Sequence, residues 1–351
     1  MIARHSFSKE WIVKQRERHS KVDPLLIERQ IYAFELLCLL VMSGKPFVFK
    51  GGTALLLLLP VARRLSIDID IVGDFTFDEL VALVEGSTFK RVEEHERTKR
   101  GIPKKHFKFY YASVIDGRET YVLLNVLYTS HGYPKVTAIP VVNDLFDVEA
   151  ELFVTTPTVN GITGDKLTAF APHTLGVPYG EGKSMEIIKH LFDLGDLVNH
   201  VTDVAEVSAG YKGIWEQENS FRERKFTVYQ TLDDTIDTAF LLSQAQFKGS
   251  VVSEGVREML KGVGQLKSYL LGTKFTIDDA RVAAAKVAVL ATILKGDHHE
   301  LKMGDLLWSD ASLDEIKNIT LEGKFQILNK LKASIPEAFY YWWLVSQIDK
   351  R

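Results

Sequence analysis

Up to about residue 160, short apolar or alternating runs are mixed with helical ones, and beyond it the 3.6-residue period prevails to the end of the chain. Residues 6–43 read as helices. Asp23-Pro24 opens the second as N-cap and first-turn proline, Gly44 closes it, and Ile27, Ile31, Phe34, Leu37 and Val41 form its buried stripe. Phe47 to Phe49 suits a short buried strand, Gly51-Gly52 a sharp turn, and Thr53 to Leu59 a helix ended by Pro60. A second strand follows, with Ile67, Ile69 and Ile71 on one face and Asp68 and Asp70 on the other.

Thr76 with Glu79 matches a capping box opening a helix to about Glu85, and strand-like runs follow at 105–113, 119–128 and 151–155. Asp116-Gly117 suits the hairpin between the first two of these. Helices are predicted at about 203–219, 227–246, 253–270, 276–294, 312–332 and 336–349. The pattern implies an α+β protein: a mixed-sheet core with N-terminal helices over 1–160, then an all-helical bundle over 161–351. The aromatic run Tyr340 to Trp343 is expected to seal that bundle, with stacking on an RNA end as its other reading.

Composition narrows the class without naming a function. An apolar fraction of 46% over 351 residues allows a large core and suggests two domains. The net charge of −3 gives no global attraction to nucleic acid, so an RNA ligand would need a local basic patch. The densest is Lys90, Arg91, Arg97, Lys99, Arg100, Lys104, Lys105 and Lys108, while Arg16, Arg18, His19 and Lys21 form a smaller one. Cys38 is the only cysteine, which excludes an intrachain disulfide and a thiolate zinc site. The N-terminus has no leader-like apolar core, and the apolar runs at 31–42 and 54–62 are too short to span a bilayer; a cytoplasmic protein is expected.

The candidate chemistry lies in the strand, glycine turn, helix and second strand spanning residues 47–71. A helix N-terminus offers unpaired N–H groups, and glycines let a triphosphate approach them. Two carboxylates on one strand face can hold Mg²⁺ against nucleotide oxygens. Acidic residues fill 46 of 351 positions, so the Asp-x-Asp spacing alone is weak, and Glu94/Glu96 and Asp147/Glu149 repeat it. Its position after the only Gly-Gly pair is the distinguishing feature. Gly180 to Ser184 imitates the end of a P-loop, but Val177 stands where that motif needs glycine; a loop capping the next helix through Ser184 is expected. His298-His299 is expected to be a loop pair, since adjacent side chains point apart.

Gly-Gly-Thr-Ala-Leu at 51–55, followed by Arg-x-Ser-x-Asp-Ile-Asp at 64–70, resembles the AbiEii/AbiGii nucleotidyltransferase toxins of type IV toxin–antitoxin and abortive-infection systems. The resemblance implies a DNA polymerase β-like core in which Gly51, Gly52, Thr53 and Ser66 contact nucleotide phosphates, and Asp68 and Asp70 carry Mg²⁺ or Mn²⁺. Thr163 to Phe170 resembles the third family motif, with Lys166 as its lysine beside the nucleotide, on the far side of a cleft from the acids. Lys189 to Leu194 resembles the fourth, giving Lys189 and Asp193, although His190 replaces the usual first Asp. The wider superfamily has a third carboxylate on a later strand. Asn125 is the polar residue there, and an amide cannot act as a general base.

The implied reaction transfers a nucleoside monophosphate from an NTP to a hydroxyl, with a tRNA 3′ end as acceptor and an antitoxin, encoded upstream, as partner. A protein or small-molecule hydroxyl is the other acceptor class. Asn125 and His190 also keep open a non-catalytic NTP-binding module.

Overall fold

The computed structural model of the protein describes residues 1–19, 22–95, 102–222 and 226–350. Its chain divides into two units. The first comprises 1–131, 135–158 and 268–274; the second comprises 132–134, 159–267 and the stretch from 275 onward. The expected boundary at 160 therefore falls at 158/159, and two short segments belong to the unit opposite in sequence. Sequence pattern misses both because neither forms a helix or strand of its own length class.

In the first unit, α1 (Lys9–Arg18) and α2 (Pro24–Met42) precede the sheet. Asp23 accepts from the Leu25 N–H and Pro24 fills the first turn, so α2 starts where the sequence places it. Its burial is broader than one stripe: Gln30 to Leu40 is buried on all sides, and burial pushes the Cys38 thiol up to about 12. The sheet comprises β1 (Phe47–Lys50), β2 (Ile69–Gly73), β3 (Arg91–Glu94), β4 (Lys104–Ala112) and β5 (Glu119–Leu127), in the order β1-β2-β5-β4-β3. Only β2 and β5 pair in parallel. Between β1 and β2 lies α3 (Gly51–Leu58), and α4 (Phe77–Ala82) follows β2 with the Thr76/Glu79 capping box in place.

Alternation gives this sheet two unlike faces. Ile69, Ile71, Phe107, Phe109, Tyr111, Val122, Leu124 and Val126 are buried on one, where the Tyr111 ring stacks on Tyr32 of α2 at 3.6 Å. The other carries Asp70, Asn125 and His106 side by side in register. A separate ribbon pairs β6 (Val136–Pro140) with β7 (Phe153–Pro157). Neither β3 nor β6 is legible in the sequence: β3 buries only Val92, and β6 buries nothing, so neither has a period-2 apolar signature.

The second unit contains α5 (Val159–Ala169), α6 (Ser184–Leu197), α7 (Val204–Ser220), α8 (Val228–Ser243), α9 (Glu254–Leu266), α10 (Ile277–Lys295), α11 (Ser312–Ile316), α12 (Leu331–Ser334) and α13 (Pro336–Ile348). The alanine-rich α10 is the centre, packed against α6, α8 and α13. Tyr341 and Trp342 are fully buried, with Trp342 Nε1 donating to Ser243 Oγ at 2.9 Å, so they seal the bundle and offer no free face for stacking. The helix expected over 312–332 is broken. Gly323 has φ +59°, Asn329 bonds the N–H and C=O of Leu321, and a 3₁₀ segment spans Gly323–Lys330. Ser184 begins α6 inside the helix instead of capping it; Lys183 holds the cap position.

Candidate active site

The first unit gathers the glycine turn, a hydroxyl and a carboxylate at one edge of its sheet. Lys50 ends β1 opposite Asp70 of β2, and the chain then turns through Gly51 at φ +81°, a conformation only glycine adopts without strain. A Cβ on Gly51 would lie 2.5 Å from Asp70 Oδ2. One on Gly52 would lie 2.6 Å from Ser66 Oγ and 2.7 Å from an Arg64 guanidinium nitrogen. Both glycines are therefore required by close approach, and the space over them is bounded by Asp70, Ser66 and Arg64. The Lys50 side chain at the N-cap position does not cap α3, and a helix N-terminus is where an anion can meet backbone N–H groups.

Thr53 has a different part from the one the sequence suggests for its hydroxyl. The side chain is fully buried, and Oγ1 lies 2.8 Å from the Ser66 carbonyl oxygen and 2.5 Å from that of Asp68, sharing one proton between them. The hydroxyl thus ties the turn to the segment before β2, and only the Thr53 backbone N–H remains for a phosphate. Asp68 lies one residue before β2 begins and is exposed, whereas Asp70 is half-buried within the strand. The two acids are thus not on one regular strand as expected; the strand starts between them.

Several residues contribute contacts that no motif predicts. Gln30 of α2 is fully buried and its Oε1 accepts the Ser66 N–H at 2.8 Å, fixing the segment that carries both acids. Arg64 is buried and donates to the Leu65 carbonyl at 2.9 Å. Asn125 Nδ2 donates to Asp70 Oδ1 at 3.0 Å, and His106 Nδ1 lies 2.5 Å from Asn125 Oδ1. Lys104 Nζ stands 3.8 Å from Asp70 Oδ1. The Gln30–Ser66, Asn125–Asp70 and His106–Asn125 pairs are separated by 19 to 55 positions in the chain, and no local signal joins them.

Among the described residues no group of three or more His, Cys, Asp or Glu side chains converges as a metal site. Two carboxylates near the glycine turn are a donor set that would suit Mg²⁺, because that ion keeps waters and takes substrate oxygens to complete its shell.

The basic segment is mostly neutralised where it is described. Arg91 pairs with Glu93 at 3.1 Å and Glu119 at 2.6 Å, and Lys105 with Glu94 at 3.1 Å. Arg97, Lys99 and Arg100 lie outside the described residues, as does Lys21 of the N-terminal group, whose His19 faces Asp144 at 3.6 Å. His298 and His299 face Glu300 and Asp297 respectively.

The second unit brings the third and fourth motifs together. Lys166 Nζ on α5 donates to Asp193 Oδ2 on α6 at 2.8 Å, with side chains only 7% and 3% exposed. Gly164 explains the placement of α5: a Cβ there would lie 2.4 Å from the Tyr211 nitrogen of α7, so the glycine permits the helices to touch. Tyr133 donates to Asp165, and Lys189 pairs within its own helix with Glu186 at 2.9 Å.

Residues 38–262, nearly two thirds of the chain and a span that holds the glycine turn, Ser66, Asp68, Asp70, Lys166, Lys189 and Asp193, match the family described as "Nucleotidyl transferase AbiEii toxin, Type IV TA system". No curated protein matches the sequence. Among solved structures, JHP933 from Helicobacter pylori aligns with a TM-score of 0.43 at 16% identity, over 83% of this chain and 99% of its own. A second solved structure from Helicobacter pylori, provisionally described as a nucleotidyltransferase, aligns with a TM-score of 0.45 at 16% identity, over 79% of this chain and 97% of its own. By the family match, the chain belongs to the AbiEii nucleotidyltransferase toxins of type IV toxin–antitoxin systems.

Proposed function

We propose that the turn at Gly51, Gly52 and Thr53 receives the triphosphate of an NTP and that Asp68 and Asp70 hold Mg²⁺ or Mn²⁺ against it. The observation carrying this reading is the convergence of Asp70 Oδ2 and Ser66 Oγ on the space that side chains at Gly51 and Gly52 would fill. The metal, when bound, supplies Lewis-acid charge stabilisation to the reacting phosphate. Ser66 Oγ contacts a phosphate oxygen, and the first-turn N–H groups of α3 donate to the other phosphate oxygens. The acceptor hydroxyl oxygen forms a bond to the α-phosphorus, the bond from that phosphorus to the bridging oxygen breaks, pyrophosphate leaves, and the hydroxyl proton passes to solvent or a base. Lys166, by the order of the family motifs, is the catalytic lysine, with Asp193 orienting its ammonium at 2.8 Å and Lys189 as an auxiliary cation. The acceptor is a tRNA 3′ end, and a cognate antitoxin is the protein partner.

Incubation with labelled NTPs, Mg²⁺ and total tRNA tests the reading. Label on tRNA that is lost in Asp68→Ala supports it; label on protein or small molecules alone would move the acceptor to another class. The amide at position 125 favours a second reading, an NTP-binding module without turnover, which predicts nucleotide binding and no transfer.

A further inference from the structure

Asn125 stands on β5 between Asp70 on β2 and His106 on β4, paired in register with both. Its amide meets both neighbours, Nδ2 at 3.0 Å from Asp70 Oδ1 and Oδ1 at 2.5 Å from His106 Nδ1. A carboxylate only accepts hydrogen bonds, so the NH₂ group must face Asp70 and the amide oxygen must face the ring. That oxygen accepts in turn, so the proton on His106 belongs to Nδ1. An amide orientation and a tautomer, ordinarily ambiguous from heavy atoms, are thus fixed by the carboxylate at the end of the chain of bonds.

The same bonds decide which way Asp70 points. With Oδ1 held by the amide, Oδ2 is left against the glycine turn, within 2.5 Å of where a Gly51 Cβ would stand. Asn125 is only 7% exposed, which keeps water from replacing either bond. An aspartate at 125 would set two carboxylates side by side; the amide orients Asp70 without adding charge.

We propose that His106 is a positioning residue for Asp70: its Nδ1–H locks the Asn125 amide, and the amide aims Asp70 Oδ2 at the triphosphate turn. The consequence for metal and nucleotide rests on the function proposed above; the hydrogen-bonded chain does not. The Asn125–His106 pair thereby occupies the place of a third carboxylate with an orienting device instead of a ligand.

Long-range proton–nitrogen spectra of the ¹⁵N-labelled protein test the chain of bonds. His106 is expected as the Nδ1–H tautomer in the wild type and as the Nε2–H form in Asn125→Leu; an Nε2–H ring in the wild type would overturn the proposal. Mn²⁺ binding with α,β-methylene ribonucleoside triphosphates tests the role. His106→Leu is expected to weaken Mn²⁺ by about 10-fold, the lower end for outer-shell partners of metal ligands. His106→Asn, which keeps a donor near the Nδ1 position, is expected to stay within about threefold of wild type on the same scale. In an Asn125→Leu background, His106→Leu should have no further effect. Equal losses in His106→Asn and His106→Leu at unchanged melting temperature, or additive losses in the double variant, would overturn the proposal. Failure of the wild type to bind Mn²⁺ with any nucleotide would overturn the site reading instead, and the tautomer alone would then decide the chain of bonds.

Discussion

Gly51 is where backbone conformation and proposed chemistry constrain the same atom. At φ +81° an L side chain is strained by roughly 1–2 kcal/mol, and its Cβ would in addition press on Asp70 Oδ2 at 2.5 Å. Gly51→Ala is therefore expected to lower unfolding free energy by about 1–2 kcal/mol in urea titrations. Because the carboxylate must also move, NTP affinity should fall at least about tenfold, the scale of losing one oriented metal partner. Unchanged affinity would show that Asp70 does not face the nucleotide. Thr53 makes a complementary case, since its hydroxyl serves two carbonyls and no ligand. Thr53→Val should cost about 1 kcal/mol for the part-buried carbonyls left unpaired, whereas Thr53→Ser should retain most of that stability. Denaturation curves of the two variants distinguish them.

At the scale of elements, α2 and the α5–α6 pair carry buried charge with opposite consequences. Burial raises the carboxyl groups of Glu28 and Glu35 on α2 above the ordinary 4.5, despite hydrogen bonds to Glu28 from Ser113 and Val114 and to Glu35 from the Ile2 N–H. In the window from 4.5 up to their folded values, the native state binds more protons than the unfolded chain. Stability from these groups therefore declines as pH rises through that window and is undiminished below it. Glu35→Gln should flatten the decline that begins above about pH 4.5 in urea titrations; an unchanged slope would exclude Glu35 as its source. Lys166 and Asp193 instead form a buried ion pair, and Lys166→Met should cost about 3–5 kcal/mol by removing the ammonium from the buried aspartate. The double variant Lys166→Met with Asp193→Leu should recover most of that stability. If it also recovered transfer, the pair would be structural only. Elements with strong local signatures, such as the Asp23-Pro24 start of α2 and the Thr76 capping box, are legible in the sequence because their determinants lie within four residues. The edge strand β3, the exposed β6 and the break before Gly323 are not, since pairing and φ at single positions decide them.

For the whole molecule, sequence order supplied the candidate motifs, and the fold decided what each residue touches. Gly51, Gly52, Ser66 and Asp70 are legible because a strand, turn, helix and strand form one contiguous unit. Gln30 and His106 are not, because each acts through a contact whose geometry only the folded chain defines. No described helix is long and apolar enough to cross a membrane, and each unit has its own apolar core, around Phe49, Phe107 and Tyr111 in the first and Leu290, Leu191 and Trp342 in the second. The most direct measurement is a crystal of the protein with Mn²⁺ and an α,β-methylene NTP, read by anomalous scattering. The account predicts a manganese peak at about 2.0–2.2 Å from Asp70 Oδ2, the range for small hard divalent cations, with phosphate oxygens on the N–H groups of the Gly51–Thr53 turn. A nucleotide bound elsewhere, with manganese absent from Asp70, would contradict it.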